Sequence, residues 1–220
     1  MTDPTRTHLA MLLDRSGSMQ QIRSATEEGF NTFVAEQLEE EGSATMTLAQ
    51  FDHEFQEVFV DRPLAEVPRL DLQPRGRTAL LDSIARLVND TGARLAALPE
   101  SERPGTVIVG IMTDGLENAS REYDHAAIKE LITHQEEKYA WTFLYLGANQ
   151  DAIEVGAQLG VAAERSMTYS DVGTADALAA TSQMVRGMRS KVADGMAPAA
   201  ARAASGYSDE QRKRAGRSDR

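Results

Sequence analysis

Three short segments carry most of the oxygen chemistry that this chain could concentrate at one place. They are Asp14-Arg15-Ser16-Gly17-Ser18, Gly76-Arg77-Thr78 and Asp114-Gly115. Together they offer two carboxylates and three hydroxyls, with no histidine or thiolate among them. Such a set of hard donors suits Mg²⁺ above all, with Mn²⁺ or Ca²⁺ as alternatives. On a nearly extended loop, alternate side chains project to one side, so Asp14, Ser16 and Ser18 can face a common centre. Gly17 permits the turn that wraps the loop. Two carboxylates neutralise a divalent ion, and octahedral Mg²⁺ takes six ligands. Five side chains leave at least one position for a carboxylate from a partner. Structural roles suit the same residues: Thr78 as a helix cap, Ser16 and Ser18 as turn residues.

These segments need elements that bring them together. His8 to Leu13 is a continuous apolar run of the kind buried on both faces of a parallel sheet. From Ile22 to Leu38, apolar residues recur at helical spacing and predict an amphipathic helix. Thr45–Phe51 and Glu54–Val60 read as strands around Asp52 and His53, an antiparallel hairpin. A loop with Pro63, Pro68 and Pro74 precedes a second helix from Leu80 to Leu95, stopped near Pro99. Thr106–Met112 is the strongest strand, and the next helix, around Ile128 to Ile132, has Asp124 as its expected cap. Trp141–Leu146 predicts a strand and Ala152–Leu159 a short helix ended by Gly160. Ser166–Tyr169 is a last short strand, and Leu178 to Val192 mark a final helix. Strands alternating with helices predict an α/β, doubly wound, mainly parallel sheet with helices on both faces. Its functional edge is the carboxyl end of the strands, near the point where strand order reverses. All three oxygen-bearing segments fall at that edge.

Composition narrows the function classes. The chain has 220 residues, 41% of them hydrophobic, and no cysteine. It can form a core, but not a disulfide scaffold or a thiolate site. A net charge of -11 opposes a nucleic-acid face. The apolar run Leu9–Leu13 is too short for a membrane span or a signal core, so a cytoplasmic protein is expected. The charge is uneven: residues 197–220 carry +3 against -14 for the rest. With little bulk beyond Tyr207, residues 197–220 are expected to be a flexible basic tail, either a plain solvated terminus or a docking arm. Residues 1–196 form the expected domain.

The five residues Asp14, Ser16, Ser18, Thr78 and Asp114, in their three segments, resemble the metal-ion-dependent adhesion site of a von Willebrand factor A domain. The likeness runs over roughly residues 5–196, and the segment from Leu146 to Ala152 is similar to stand-alone bacterial members. It implies a six-stranded sheet in the order 3-2-1-4-5-6 with one antiparallel edge strand. It implies that Ser16 and Ser18 bind the ion directly and that Asp14 often acts through water. It also implies that Thr78 and Asp114 exchange direct and water-mediated roles, coupled to the last helix, here about Thr174 to Met196.

Other residues have simpler readings. Asp82 suits the first helical turn through the helix dipole. Glu117 and Asn118 are expected in a solvated loop at the rim. Arg15 and Arg77 flank the site, either exposed or steering an acidic ligand. Met19, Met184, Met188 and Met196 are helix residues rather than a sulfur site, and the four histidines lack ligand spacing. Asn149 and Asp151 are expected to cap the short helix after the fifth strand. The resulting expectation is a non-enzymatic module whose cation holds a partner protein's Asp or Glu, an adaptor for example alongside an ATPase. The alternative is a Mg²⁺-dependent hydrolase or phosphoryl-transfer enzyme on the same acidic site. The chain has no phosphate loop, no Gly-x-Ser-x-Gly elbow and no histidine motif to accompany it. Nucleic-acid binding through the basic tail is the weakest reading.

Overall fold

The computed structural model describes residues 2–148 and 150–217. Six strands form one sheet: β1 Asp3–Asp14, β2 Ser43–Phe51, β3 Phe55–Pro63, β4 Pro104–Thr113, β5 Thr142–Ala148 and β6 Ser166–Tyr169. The spatial order is β3-β2-β1-β4-β5-β6. Only β3 runs antiparallel, joined to β2 by the tight turn that brings Phe55 opposite Phe51. The remaining pairs are parallel. The order reverses between β1 and β4, so the ends of these two neighbours form the switch point.

Period-two alternation along the buried strands builds two cores. Leu9, Met11 and Leu13 of β1 enter one, with Ile108, Met112, Leu144 and Leu146. This face is covered by α1 (Arg23–Leu38) and α5 (Thr174–Ala193), through Phe30, Phe33, Leu178 and Val185. Ala10 and Leu12 enter the other core with Val109, Ile111 and Phe143. There α2 (Leu80–Ala97), α3 (His125–Tyr139) and α4 (Ala152–Leu159) supply Ile84, Val88, Ile132 and Leu159. Met19, Met184 and Met188 are core residues, while Met196 is exposed. Asp124 caps α3 and Asp151 caps α4 as predicted. The matching expectation for Asn149 lies outside the described residues.

In the segment expected to be a flexible basic tail, the described residues fold into helices packed on the domain. They are α6 (Pro198–Ala203) and α7 (Asp209–Ala215). Small residues let these helices approach closely, and Ala201 and Ala215 are fully buried. Arg214 and Arg217 pair with Glu210 and Asp176, while two other arginines bind backbone carbonyls. Arg202 donates to Trp141 O at 2.6 Å and Glu136 O at 3.0 Å. Arg212 donates to Ser166 O at 2.5 Å and Ala163 O at 2.6 Å. The Tyr207 hydroxyl lies 2.9 Å from Thr181 Oγ1 inside the core. Ser208 and Gln211 close a capping box on α7. Guanidinium–carbonyl bonds thus replace the bulky apolar residues whose scarcity had suggested disorder.

Candidate metal centre

Three loops at the switch point supply the site. The first leaves β1 at Asp14, which is fully buried. Its Oδ1 accepts Ser16 N at 2.6 Å, which folds the loop back over the strand end. A 3-10 turn, Gly17–Gln20, then leads towards α1. The hydroxyls of Ser16 and Ser18 lie 3.1 Å apart. The second loop is tied to the first by Arg75 N to Arg15 O at 2.7 Å. It turns at Gly76, whose φ of +74° favours glycine, and whose added Cβ would meet His53 Nδ1 at 2.5 Å.

Thr78 is buried, and it does not cap α2, because Ala79 takes the cap position without a side-chain bond. The third loop does that work instead. Leu81 N donates to Glu117 Oε2 at 3.0 Å and Asp82 N to Ser120 Oγ at 3.1 Å. Thr78 N donates to Asn118 Oδ1 at 3.1 Å. The threonine hydroxyl is therefore left for other partners.

The third loop leaves β4 at Asp114. Ser18 Oγ donates to Asp114 Oδ1 at 2.7 Å, and Ser16 Oγ lies 3.5 Å from the same oxygen. Gly115 locates the rest. A Cβ there would stand 3.0 Å from Thr78 Oγ1 and 3.9 Å from both Asp14 Oδ2 and Ser16 Oγ. All five sequence-predicted residues are thus brought together, and Gly115 keeps their centre clear. Ser18 is exposed and Asp114 half-buried, so one side of the cluster reaches solvent.

The electrostatics are those of carboxylates without a counter-charge. Burial pushes the Asp14 carboxyl up to about 6, against the opposing bonds from Thr113 and Ser16. Burial also raises Asp114, opposed by the Ser18 hydroxyl. Among the described residues, no arginine, lysine or histidine forms an ion pair with either. No group of three or more His, Cys, Asp or Glu side chains among them is placed to hold a metal ion either. A cation here therefore depends on hydroxyls to complete its shell. The donor set and the clear centre beside Gly115 fit a hard divalent ion.

Comparison with solved structures agrees with this architecture. The chain superposes on the von Willebrand factor type A protein from Catenulispora acidiphila with a TM-score of 0.53 at 16% identity, covering 83% of this chain and 43% of that one. The fold is that of a von Willebrand factor A domain. The von Willebrand factor domain of the type V pili tip protein Mfa5 from Porphyromonas gingivalis gives 0.54 at 11% identity, over 82% of this chain and 95% of that one. Proximal thread matrix protein 1 from the mussel byssus, in a structure whose MIDAS motif is occupied by zinc, gives 0.55 at 15% identity, over 86% of this chain and 47% of its own. This chain thus spans about half the mussel protein's length or less. Neither a protein-family sequence model nor a curated protein matches the chain.

Within this von Willebrand factor A fold, several neighbours differ from their expected roles. Arg15 neither faces solvent nor an incoming ligand. It is buried, with Nε 3.1 Å from Asp52 Oδ2 and Nη1 2.6 Å from Gln56 Oε1. Glu117 is no solvated rim residue. It accepts Leu81 N, Ala119 N, Ser120 N and Ser120 Oγ, and these bonds outweigh burial and lower its carboxyl. Asp82 does more than face the helix dipole: it accepts the N–H groups of Arg121, Glu122 and Tyr123, fixing the third loop to α2. Arg77 donates to Asn118 O at 2.6 Å.

Thr113 went unseen in the sequence. Its buried hydroxyl donates to Asp14 Oδ2 at 2.6 Å and accepts Gly115 N at 3.2 Å. It orients one carboxylate and the glycine beside the other. The available signal was a hydroxyl directly before Asp114, at the end of the apolar run Val107–Met112.

Proposed function

We propose that Asp14, Ser16, Ser18, Thr78 and Asp114 hold a divalent cation, Mg²⁺ in the cell, and that the ion takes an Asp or Glu carboxylate from a partner protein. The observation that carries this reading is the pair of carboxylates with raised pKa, ringed by three hydroxyls, with no cationic side chain among the described residues paired to either. Burying such charge uncompensated is costly. A bound cation reverses the cost and favours the ionised forms. When bound, the ion supplies Lewis-acid character towards a ligand oxygen. The chain's own residues hold it: Thr113 fixes the Asp14 carboxylate, and Asn118 fixes the Thr78 backbone.

The surface supports a protein ligand. Leu116, beside Asp114, is 63% exposed, an apolar side chain at the open edge of the site. The net charge of -11 disfavours nucleic acid. Among the described residues, no helix is long and apolar enough to cross a membrane. The module acts as a non-enzymatic intracellular adaptor in this reading.

Calorimetry with Mg²⁺ and Mn²⁺ is the first test. Binding is expected in the wild type and lost in Asp14→Ala; equal binding by both removes the site. Capture of a partner protein that is released by chelator supports the adaptor role. Metal-dependent phosphatase or nucleotidase activity that disappears in Asp114→Ala would replace it with an enzyme.

A further inference from the structure

At the opposite end of the sheet, a cavity of about 460 Å³ lies between α2 and α3, beside the first residues of β4. Its volume is in the range of small-molecule sites, about 300–1,000 Å³. Leu95, Val107 and Trp141 give it a largely apolar wall, with Gln135 and Gly92 alongside. Trp141 is only 5% exposed and Gln135 only 9%. Their backbones are fully engaged: Trp141 N donates to Gln135 O, and Trp141 O accepts Arg202. Their side chains are not. Neither the indole N–H nor the Gln135 carboxamide has a hydrogen-bond partner among the described residues. Two polar side chains, each nine-tenths or more buried, thus line one cavity without partners. Their polar atoms keep contact with solvent, which leaves them available to a ligand in the cavity.

Gly92 gives a second indication. It lies in the interior of α2, where glycine is disfavoured. Its conformation does not require glycine, and an added Cβ would meet only ordinary contacts, 4.0 Å from Gln135 Nε2 and from Trp141 Cη2. What the missing side chain preserves is open space beside those two groups. The cavity lining includes His134, whose ring meets that of Tyr139 edge-on, with centroids 5.7 Å apart. Arg103, also on that lining, spends its guanidinium on Leu98 O at 3.0 Å and Ala96 O at 2.7 Å.

We propose that this cavity is a binding site for a small, uncharged, planar molecule carrying a hydrogen-bond acceptor, which takes the Trp141 indole N–H and the Gln135 amide. The indole can only donate, so an acceptor is required. A mainly apolar wall selects against charged ligands. Seven residue steps along β4, from Val107 to Asp114, separate the cavity from the metal centre, about 23 Å at the rise of a strand. The site therefore stands or falls independently of the metal.

Trp141 is the only tryptophan of the chain, so its emission reports on this cavity alone. The probe is 6-propionyl-2-dimethylaminonaphthalene, a neutral planar ketone that accepts energy from tryptophan. Titration is expected to quench Trp141 saturably at one-to-one stoichiometry, with Kd on the order of 10–100 µM. The result should be unchanged by chelator. Gly92→Leu, which fills the cavity, should weaken binding at least tenfold with the far-ultraviolet circular dichroism unaltered. Gln135→Leu should weaken it several-fold and shift the bound probe's emission to the blue, as its carbonyl loses a donor. If Gly92→Leu fails to fold, Ala96→Phe at the exposed rim takes its place with the same expected loss. Absence of saturable quenching in the wild type, probe brightening without quenching, or equal affinity in the cavity-filling variant would each overturn the proposal.

Discussion

Asp14 and Asp52 stand at the carboxyl ends of neighbouring strands, since Asp14 pairs in register with Phe51. Both are fully buried. Around Asp52 the fold supplies positive charge: Arg15 Nε at 3.1 Å, Arg75 Nε at 2.9 Å, and the Glu54 N–H at 2.7 Å. Burial pushes the Asp52 carboxyl up, but these donors outweigh it and hold it below the usual range. Around Asp14 the fold supplies neutral donors, the Thr113 hydroxyl and the N–H and hydroxyl of Ser16, and burial takes its carboxyl to about 6. The same residue type at the same sheet edge is a completed ion pair in one place and an uncompensated charge a strand away. The difference separates a carboxylate that holds loops together from one kept ready for a cation.

Substitution should split the two most sharply. Asp52→Asn leaves the Arg15 guanidinium buried and facing an amide, and is expected to cost about 3 kcal/mol of stability. Urea unfolding measures it. Asp14→Asn should do the reverse in chelator. At pH 7 the folded state holds that carboxylate ionised against a pKa of about 6, compared with 3.8 ordinarily. A neutral isostere relieves up to about 3 kcal/mol of that cost. The metal-free variant should therefore be more stable than the wild type. Its affinity for Mg²⁺ or Mn²⁺ should fall on the order of 100-fold, because one of two ligand charges is gone. Destabilisation of the metal-free protein by both substitutions would erase the distinction between the two sites.

Acid should sharpen the contrast. Because the folded state raises the pKa of Asp14, that group's contribution to stability is fully present below about 3.8 and is lost as pH rises through about 6. Asp52 has the opposite sign. Its lowered value gives stability above about 3.8 that is lost as pH falls through its folded pKa. In chelator, stability should rise from pH 7 to pH 5 in the wild type, and that rise should be smaller in Asp14→Asn, where only the raised Asp114 carboxyl remains. Metal affinity should weaken below about pH 6, as protons compete for Asp14. Calorimetry at three pH values checks both trends.

Much of this was legible in the chain itself. The continuous apolar runs marked β1 and β4, helical spacing marked α2, and the turn at Asp52 and His53 marked the hairpin, because each is a local pattern. The five oxygen-bearing residues were legible through their positions just after strands and before a helix. What escaped was long-range pairing. Arg15 sits inside the most conspicuous motif, yet its partner Asp52 is 37 residues away, and nothing in its neighbourhood distinguishes it from an exposed arginine. Glu117 reaches across to cap α2, so the bond that releases the Thr78 hydroxyl is invisible near Thr78. The helices α6 and α7 escaped for a related reason. Their anchors are arginines on backbone carbonyls, and a hydrophobicity pattern does not register those.

The smallest expected effect tests how finely the Asp14 environment is set. Thr113 donates to Asp14 Oδ2 at 2.6 Å and sits in a fully buried position. Thr113→Val keeps the shape and removes the hydroxyl. An ionised Asp14 then loses one of its few donors, while a protonated one loses less. The carboxyl should titrate higher than in the wild type, since the bond to Thr113 opposes the rise. Metal-free stability at pH 7 should fall by about 1 kcal/mol, the worth of one buried hydrogen bond. Metal affinity should fall by roughly tenfold, the scale of an outer-shell orienting group. A hydroxyl that mattered only for packing would leave the pH dependence of metal binding where it was. A shift of that dependence to higher pH, with affinity recovered in alkaline buffer, identifies Thr113 as the residue that keeps Asp14 ionised enough to receive the ion.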